Sequence, residues 1–431
     1  MLSRSDQGYR WVILAVSFFQ QSLAYTAWYS FTVFLVALVD ERGWSRGETA
    51  FALSLFIVTQ GLASPISGTL LDRYGPRRLV PIGGLTLGVA LALCSQVQEL
   101  WQLYVLFGLL AGVGLSAVGW VVSSTVLTHW FREARATALG VGGAGIGFGI
   151  LAFVPLTQAI VLSHGWRSAY VVLGLLIGAG LPLLTVLLRM PARPAPGARG
   201  TEASRPTLPY DHTVIDREWA DTVWSVRRAM RTRRYWYVLA SFALATFGTQ
   251  LVQVHQLAML VDVNFDPQFS AAVVGVVGIT SIAAKPLWGL LSDRIGREPV
   301  QSAGMLLVVV SLAFMEAART SGRFESAIAF GVTLGVGYAV TAALSPAIAA
   351  DIFQGRHFGA VFGSLGFFHG VGGAAGAWAG GFVRDVSGQY EPGLLLAGAG
   401  CLLSGLFCWL AAPRRVRLVQ GVARRRARAP L

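Results

Sequence analysis

GTLLDRYGPRR (residues 68–78) and GLLSDRIGRE (residues 289–298) are two versions of one pattern, G-x-x-x-D-R-x-G, whose first glycines lie 221 positions apart in a chain of 431. Repetition at half the chain length means that the molecule is made of two related halves. Each copy is a short polar break between long apolar runs, so the next question is how many such runs there are.

Only 13% of residues are charged and 54% are hydrophobic, against about 25% charged in ordinary soluble domains. A transmembrane helix needs about 20 apolar residues to cross about 30 Å of hydrocarbon. Runs of that length lie near 11–39, 49–70, 79–97, 101–128, 136–161 and 168–188, then near 236–262, 270–291, 299–318, 325–350, 358–383 and 392–412. The first is too long for a signal peptide. Twelve spans in two sets of six give an all-α integral membrane protein, and each repeat copy falls between the second and third spans of its own half. The expected organisation is a six-helix bundle over 1–189, a linker over 190–235, a second six-helix bundle over 236–412 and a basic tail over 413–431. Cys94, Cys401 and Cys408 all lie in apolar segments and suggest no disulfide framework.

The net charge of +13 comes from 33 arginines and one lysine against 21 acidic residues. Loops on the cytoplasmic side of a membrane collect Lys and Arg. With the N-terminus inside, 27 arginines lie in inner segments and 6 (Arg42, Arg46, Arg167, Arg319, Arg323, Arg384) in outer loops, which predicts cytoplasmic termini in the cell inner or plasma membrane. The positive charge is thus topological and calls for no nucleic-acid partner. The linker opens with MPARPAPGARGTEASRPTLP, which is flexible by composition. It continues with DREWADTVWSVRRAMRTRRYW, where Trp219, Val223 and Val226 share a face beside several arginines and suggest an interfacial amphipathic helix or a solvated basic linker. The tail is expected to be disordered.

The doubled motif in a six-plus-six layout resembles the loop motif of the major facilitator superfamily, and the resemblance covers essentially the whole chain. It implies two six-helix bundles that alternate access to a site between them. An Asp at a helix end beside an Arg-bearing turn makes charge-assisted hydrogen bonds, and Asp72, Arg73, Asp293 and Arg294 are assigned to gating. Gly140, Gly143 and Gly147 in the fifth span, and Gly359, Gly363, Gly366, Gly370 and Gly373 in the eleventh, allow close helix approach and are read as packing surfaces.

Ionisable groups within the membrane mark function by default. Lys285 lies five or six residues inside the eighth span, is the only lysine in the chain and precedes Pro286. No acidic residue at mid-span neutralises it, so it invites an anion. His255 and His369 are candidates for proton coupling, since histidine changes charge near neutral pH, and His369 is a candidate for substrate contact as well. Tyr25, Trp28 and Tyr29 in the first span, Trp120 in the fourth, Gln250 in the seventh and Tyr338 in the tenth complete a set suited to a small amphipathic solute. No metal, cofactor or catalytic residue is expected.

A narrower resemblance is to the monocarboxylate transporter and oxalate–formate antiporter group. It rests on DQGYRW (6–11), WFREARATALGVGGAGIG (130–147), VHQLAMLVD (254–262), AAKPLWGLLSDRIG (283–296) and GFFHGVGG (366–373). In that group the eighth-span segment carries an arginine that binds the substrate carboxylate. The resemblance therefore implies Lys285 as the main anion partner and His369, where antiporters place a lysine, as a titratable second. The chain departs at Lys285, which lacks the bidentate fork of arginine; at Ser281, where some members carry a proton-coupling Asp; and at Tyr29, near where some carry a lysine.

The function expected is secondary active transport of a small organic anion, a monocarboxylate first, by proton symport or anion exchange, with the lipid bilayer as the only other partner and no obligate protein partner. The alternatives are an exporter of drugs or neutral solutes on the same fold, which would want more membrane polar or acidic residues, and a sensor on the same fold, which would want a folded appendage. An enzyme is not expected, since no nucleophile–base pair or metal cluster converges at one depth.

Overall fold

The computed structural model describes residues 4–131, 134–189 and 213–428. Arg132 and Glu133 of the fifth-span motif, the Pro/Ala/Gly-rich part of the linker and the last three residues of the tail lie outside the described residues. Eleven helical stretches are long and apolar enough to cross a bilayer. The longest, Arg135–Thr185, turns at Gly165, where φ is +78°, and so supplies the fifth and sixth spans. That makes twelve among the described residues.

The first span is Arg4–Tyr29 with Phe31–Arg42, followed by Arg46–Tyr74 and Pro76–Cys94 as the second and third. The fourth runs from Leu100 to Trp130 and breaks at Gly119, which is extended at φ −76° and ψ −160°. In the other half the seventh, eighth and ninth spans are Arg233–Asp262, Pro267–Ile295 and Arg297–Ser321. The tenth is split into Phe324–Tyr338 and Val340–Phe353, and the eleventh and twelfth are Phe358–Ser387 and Glu391–Ala411. The repeat extends beyond the loop. Pro65 and Pro286 are also 221 apart, each inside its helix three residues before the motif glycine. The fourth and tenth spans, equivalent in the two halves, are both broken.

Each half packs its own apolar core, one drawn from residues between Ile13 and Leu188, the other from residues between Trp224 and Ala411. Two side chains cross over. Val121 of the fourth span lies in the second core, and Ala347 of the tenth lies in the first.

The halves meet chiefly along two helix pairs, second with eleventh and fifth with eighth, with the fourth and tenth spans adding lesser contacts, and small residues set how closely. A Cβ on Gly68 would collide with the backbone of Gly359, and one on Gly289 with the backbone of Ala136. Lipid gives no hydrophobic drive between helices, so backbone approach of this kind supplies the packing. The contact is confined to the face that carries the chain termini. Farther along the same helical stripes, Gly61 of the second span, Gly275 and Gly278 of the eighth, and Gly370 of the eleventh have no atom within 4 Å of an added Cβ. The helices diverge there, and the molecule is a V, closed at the terminal face and open at the other.

The rest of the linker differs from the single interfacial helix that its sequence suggests. Asp216, Ser225 and Thr232 each cap a new helix start, at Trp219, Arg228 and Tyr235, so the segment divides into Arg217–Asp221 and Val226–Met230. Trp219 and Trp224 meet at a tilt with ring centroids 4.5 Å apart and pack on Phe353, whereas Val223, on the supposed common face, is exposed. The expectation of a disordered tail is also corrected through residue 428. Leu418 N donates to Thr213 O at 2.7 Å and Ile215 N to Val416 O at 2.9 Å, which zips tail to linker, and Gln420–Arg428 forms a helix. Buried Val416, Leu418 and Val419 are the apolar residues that hold it.

Candidate substrate site

Lys285 sits where the V closes. Its side chain is only 6% exposed, and its nearest polar contact is the Gly143 carbonyl at 3.5 Å, the outer limit of a hydrogen bond. No carboxylate among the described residues lies within ion-pair distance of it. Its place follows from close packing of the eighth span on the fifth. Gly140 lies so near the Lys285 carbonyl and Pro286 that a Cβ would overlap them, and Ile282, one turn earlier, fills the space beside Gly147.

An aromatic wall stands around this point. Tyr25, Trp28 and Tyr29 stack in sequence, with ring centroids 6.0 and 6.1 Å apart, and Trp28 meets Phe56 edge-on at 5.7 Å. Tyr29 stands near both Tyr25 and Tyr338, and Tyr338 lies beside Ser281, one turn before Lys285. The Trp120 indole lies against Gly143, the residue whose carbonyl faces Lys285. Both breaks are stabilised from neighbouring helices: Trp288 donates its indole N–H to Val336 O at 2.7 Å in the tenth span, and Gln20 donates to Val118 O at 2.8 Å in the fourth. First, fourth, fifth, eighth and tenth spans therefore converge on one region.

The other candidates divide. His369 is partly exposed on the eleventh span, where Thr246 Oγ1 donates to its backbone carbonyl at 3.0 Å. Gln250, one turn from Thr246, packs by its Cγ near Gly373; these two candidates share the seventh–eleventh contact. His255 stands apart from both. Its Nε2 is 2.9 Å from Ala377 O, and its ring lies 5.9 Å from that of Tyr390, between the seventh and eleventh spans toward the open face. Asp262 and Glu316, near that face, pair with Arg384 and Arg319.

Beneath the site the motif aspartates bridge the halves. Asp293 accepts from Ala136 N at 3.2 Å and from Thr137 N and Thr137 Oγ1, each at 2.8 Å. Asp72 does the same for the eleventh span, accepting from Gly359 N at 3.1 Å and Ala360 N at 2.8 Å. Each carboxylate thus caps the start of a helix in the opposite half, where orphan amides and the positive helix end favour an anion. The motif arginines lie elsewhere. Arg73 is exposed and stacks on Tyr74 at 5.2 Å, and exposed Arg294 offers its carbonyl to Arg425. The cationic partner of Asp293 is Arg297, at 2.8 Å, which also holds Asp351 at 2.8 Å. Asp351 in turn pairs with Arg135 of the first half. All four groups are buried. Sequence reasoning passed over Arg135 and Arg297, although each is the first residue of its helix. The turns after the two motif aspartates use Gly75 and Gly296 at φ +77° and +118°, a region that side-chain-bearing residues avoid.

A sequence profile of the Major Facilitator Superfamily matches residues 17–260 and 251–430, nearly the whole chain. The chain belongs to the major facilitator superfamily. Among curated relatives, it is 30% identical over 407 residues to monocarboxylate transporter 13 of Rattus norvegicus, covering 93% of this chain and 88% of that protein. It is 26% identical to the oxalate:formate antiporter of Oxalobacter formigenes, covering 82% and 80%. In fold it is similar to the proton:xylose symporter XylE, with a TM-score of 0.72 at 14% identity over 94% of this chain and 96% of that one. It is likewise similar to the facilitator FucP in its outward conformation, at 0.67 and 14% over 93% and 99%. As a member of the superfamily the chain is a multi-pass membrane transporter of a small-molecule substrate, and not an enzyme.

Proposed function

We propose that this transporter moves a small organic anion, with a monocarboxylate the first candidate, by alternating access coupled to proton symport or anion exchange. The observation that carries the reading is Lys285, a buried cation at the floor of an aromatic-lined cleft with no carboxylate among the described residues to neutralise it. A charge in that setting is unfavourable unless a counter-ion arrives, and a carboxylate solute supplies one. The names of the curated relatives support the same class. Tyr25, Trp28, Tyr29, Trp120 and Tyr338 form the apolar and hydroxyl wall for the solute, with His369 and Gln250 on its eleventh-span side. His369 is the better-placed proton carrier, because the ring of His255 already has a backbone partner.

In this reading the bundles 1–189 and 236–412 rock as two bodies. Asp72 and Asp293 form the gate, with Arg73 and Arg294 at its turns, and the face carrying the termini is the cytoplasmic one, in keeping with the arginine distribution. The membrane is the inner or plasma membrane.

The test is uptake of radiolabelled lactate, pyruvate and oxalate into proteoliposomes. Wild-type protein should accumulate at least one of them, Lys285→Ala should reduce uptake to background, and Lys285→Arg should retain a measurable fraction. Unchanged uptake by Lys285→Ala would overturn the proposal.

A further inference from the structure

The break at Gly119 produces a feature that Lys285 alone does not account for. Residues Trp120–Trp130 form an eleven-residue helix that begins in the middle of the protein rather than at its surface. Its hydrogen-bonding ladder closes only at Ser123 N, which donates to Gly119 O, so the amides of the first turn have no acceptor within their own helix. The helix runs toward the terminal face. Its N-terminus, the positive end of its dipole, therefore points up into the open arm of the V.

That first turn shares the depth of Lys285. Trp120 is ten residues from the end of its helix at Trp130, and Lys285 is ten from the end of its own at Ile295, in each case about 15 Å at the helical rise. It is also flanked on both sides by the candidate site. The Trp120 indole packs on Gly143, whose carbonyl is the nearest polar contact of Lys285 Nζ among the described residues. Val121 packs on Gly366, one turn before His369. The first span attends to both sides of the break. Gln20 and Gln21 donate to Val118 O at 2.8 and 3.3 Å, and the Tyr25 phenol stands beside the backbone of Trp120. The glutamines are buried and hold the break in place, whereas Tyr25 is partly exposed at the cleft.

We propose that the N-terminal turn of the Trp120–Trp130 helix is an anion-binding element that, with Lys285, holds the carboxylate of the transported solute. Lys285 supplies the full charge and the first-turn amides of Trp120 and Val121 supply directed donors, the geometry that a lysine lacks and an arginine fork would give. Tyr25, beside the Trp120 backbone, gives way when the carboxylate arrives. The two donors come from opposite halves, so a bound anion ties the bundles together at the floor of the cleft. This inference rests on the reading of Lys285 as the anion partner.

The experiment compares Trp120→Ala, which keeps the amide at 120, with Trp120→Pro, which deletes it; proline is tolerated at the first position of a helix. Binding of radiolabelled lactate and oxalate to purified full-length protein is measured by scintillation proximity, with neutral lactamide as competitor. Trp120→Pro should bind the carboxylates about tenfold more weakly than Trp120→Ala, with no difference between the two variants for lactamide. Should Trp120→Pro not fold, the α-hydroxy analogue of tryptophan at position 120 deletes the same N–H by an ester and should give the same loss against wild type. Equal carboxylate affinity with and without the amide, while Lys285→Ala abolishes binding, overturns this inference alone. Carboxylate binding that survives Lys285→Ala, or wild-type protein that binds neither acid, overturns the anion reading itself.

Discussion

Asp293 and Thr137 belong to different halves of the molecule, yet the carboxylate of one takes both the backbone amide and the hydroxyl of the other at 2.8 Å. The contact holds only while the terminal face is closed, since it disappears as soon as the eighth span parts from the fifth. Asp72 makes the equivalent contact with the eleventh span. The proposed gate is thus a pair of helix caps made in trans, and its strength can be measured by removing one.

Asp293→Ala should release the gate on one side. Loss of hydrogen bonds to a buried charged group amounts to about 1–3 kcal/mol, enough to move a two-state balance by a factor of about ten or more. A cysteine in place of buried Ser64, which lies on the second span against Gly363 of the eleventh, should react with a maleimide several-fold faster in that background than with Asp293 present. Equal rates would show that the cap does not hold the face shut.

The two neighbouring arginines should behave oppositely. Arg297 is buried between Asp293 and Asp351, and removal of one partner from a buried ionic cluster destabilises by about 3–5 kcal/mol. Arg294→Ala, at an exposed position, should stay within about 0.5 kcal/mol of wild type. Thermal unfolding of the two variants in detergent separates them. Similar losses would mean that the motif arginine takes part in the lock.

Gly140→Leu should push the fifth span off the eighth, because the obstacle is the Lys285–Pro286 backbone and cannot swing aside as a side chain would. The expected outcome is a folded protein whose terminal face cannot close, with uptake lost. Spin labels on the fifth and eighth spans should report a longer distance on that face. An unchanged distance would refute the tight-packing account.

Trp219→Ala should loosen the linker. The indole N–H donates to Ile352 O at 2.8 Å, and the ring carries Arg234 at 4.3 Å. Limited proteolysis should then cut within residues 213–232 faster than in wild type, while the twelve spans remain protected. Resistance equal to wild type would show that zipping to the tail suffices.

Most of the architecture was legible because a bilayer leaves little choice. An apolar run of twenty residues has to be a helix, and GTLLDRYG matched to GLLSDRIG shows how the helices group. Lys285 stood out for a related reason, as a charge where none is expected. The lock was only half legible. Asp72 and Asp293 are visible as a motif, but Arg135 and Asp351 are 216 residues apart and become partners only when the fifth and tenth spans cross. The fourth-span break was hidden as well. Gly119 is one of 51 glycines, and what makes it a break is the set of partners supplied by the first span. The linker misled for the opposite reason. Trp219 and Val223 share a helical face on paper, but the helix that carries Trp219 ends at Asp221, before Val223 is reached, and Trp224 takes the buried place instead.

The zipped linker and tail both rest on the second half of the molecule: Trp219 on Ile352, Arg414 on Glu298 and Gly421 on Arg294. Everything described outside the membrane after residue 212 is therefore cargo of one bundle. A reporter fused near residue 428 would turn with that bundle as a pointer turns with a dial, while one at the N-terminus would follow the other. The angle between the two would give the state of the gate in a living membrane without any label inside the transport path.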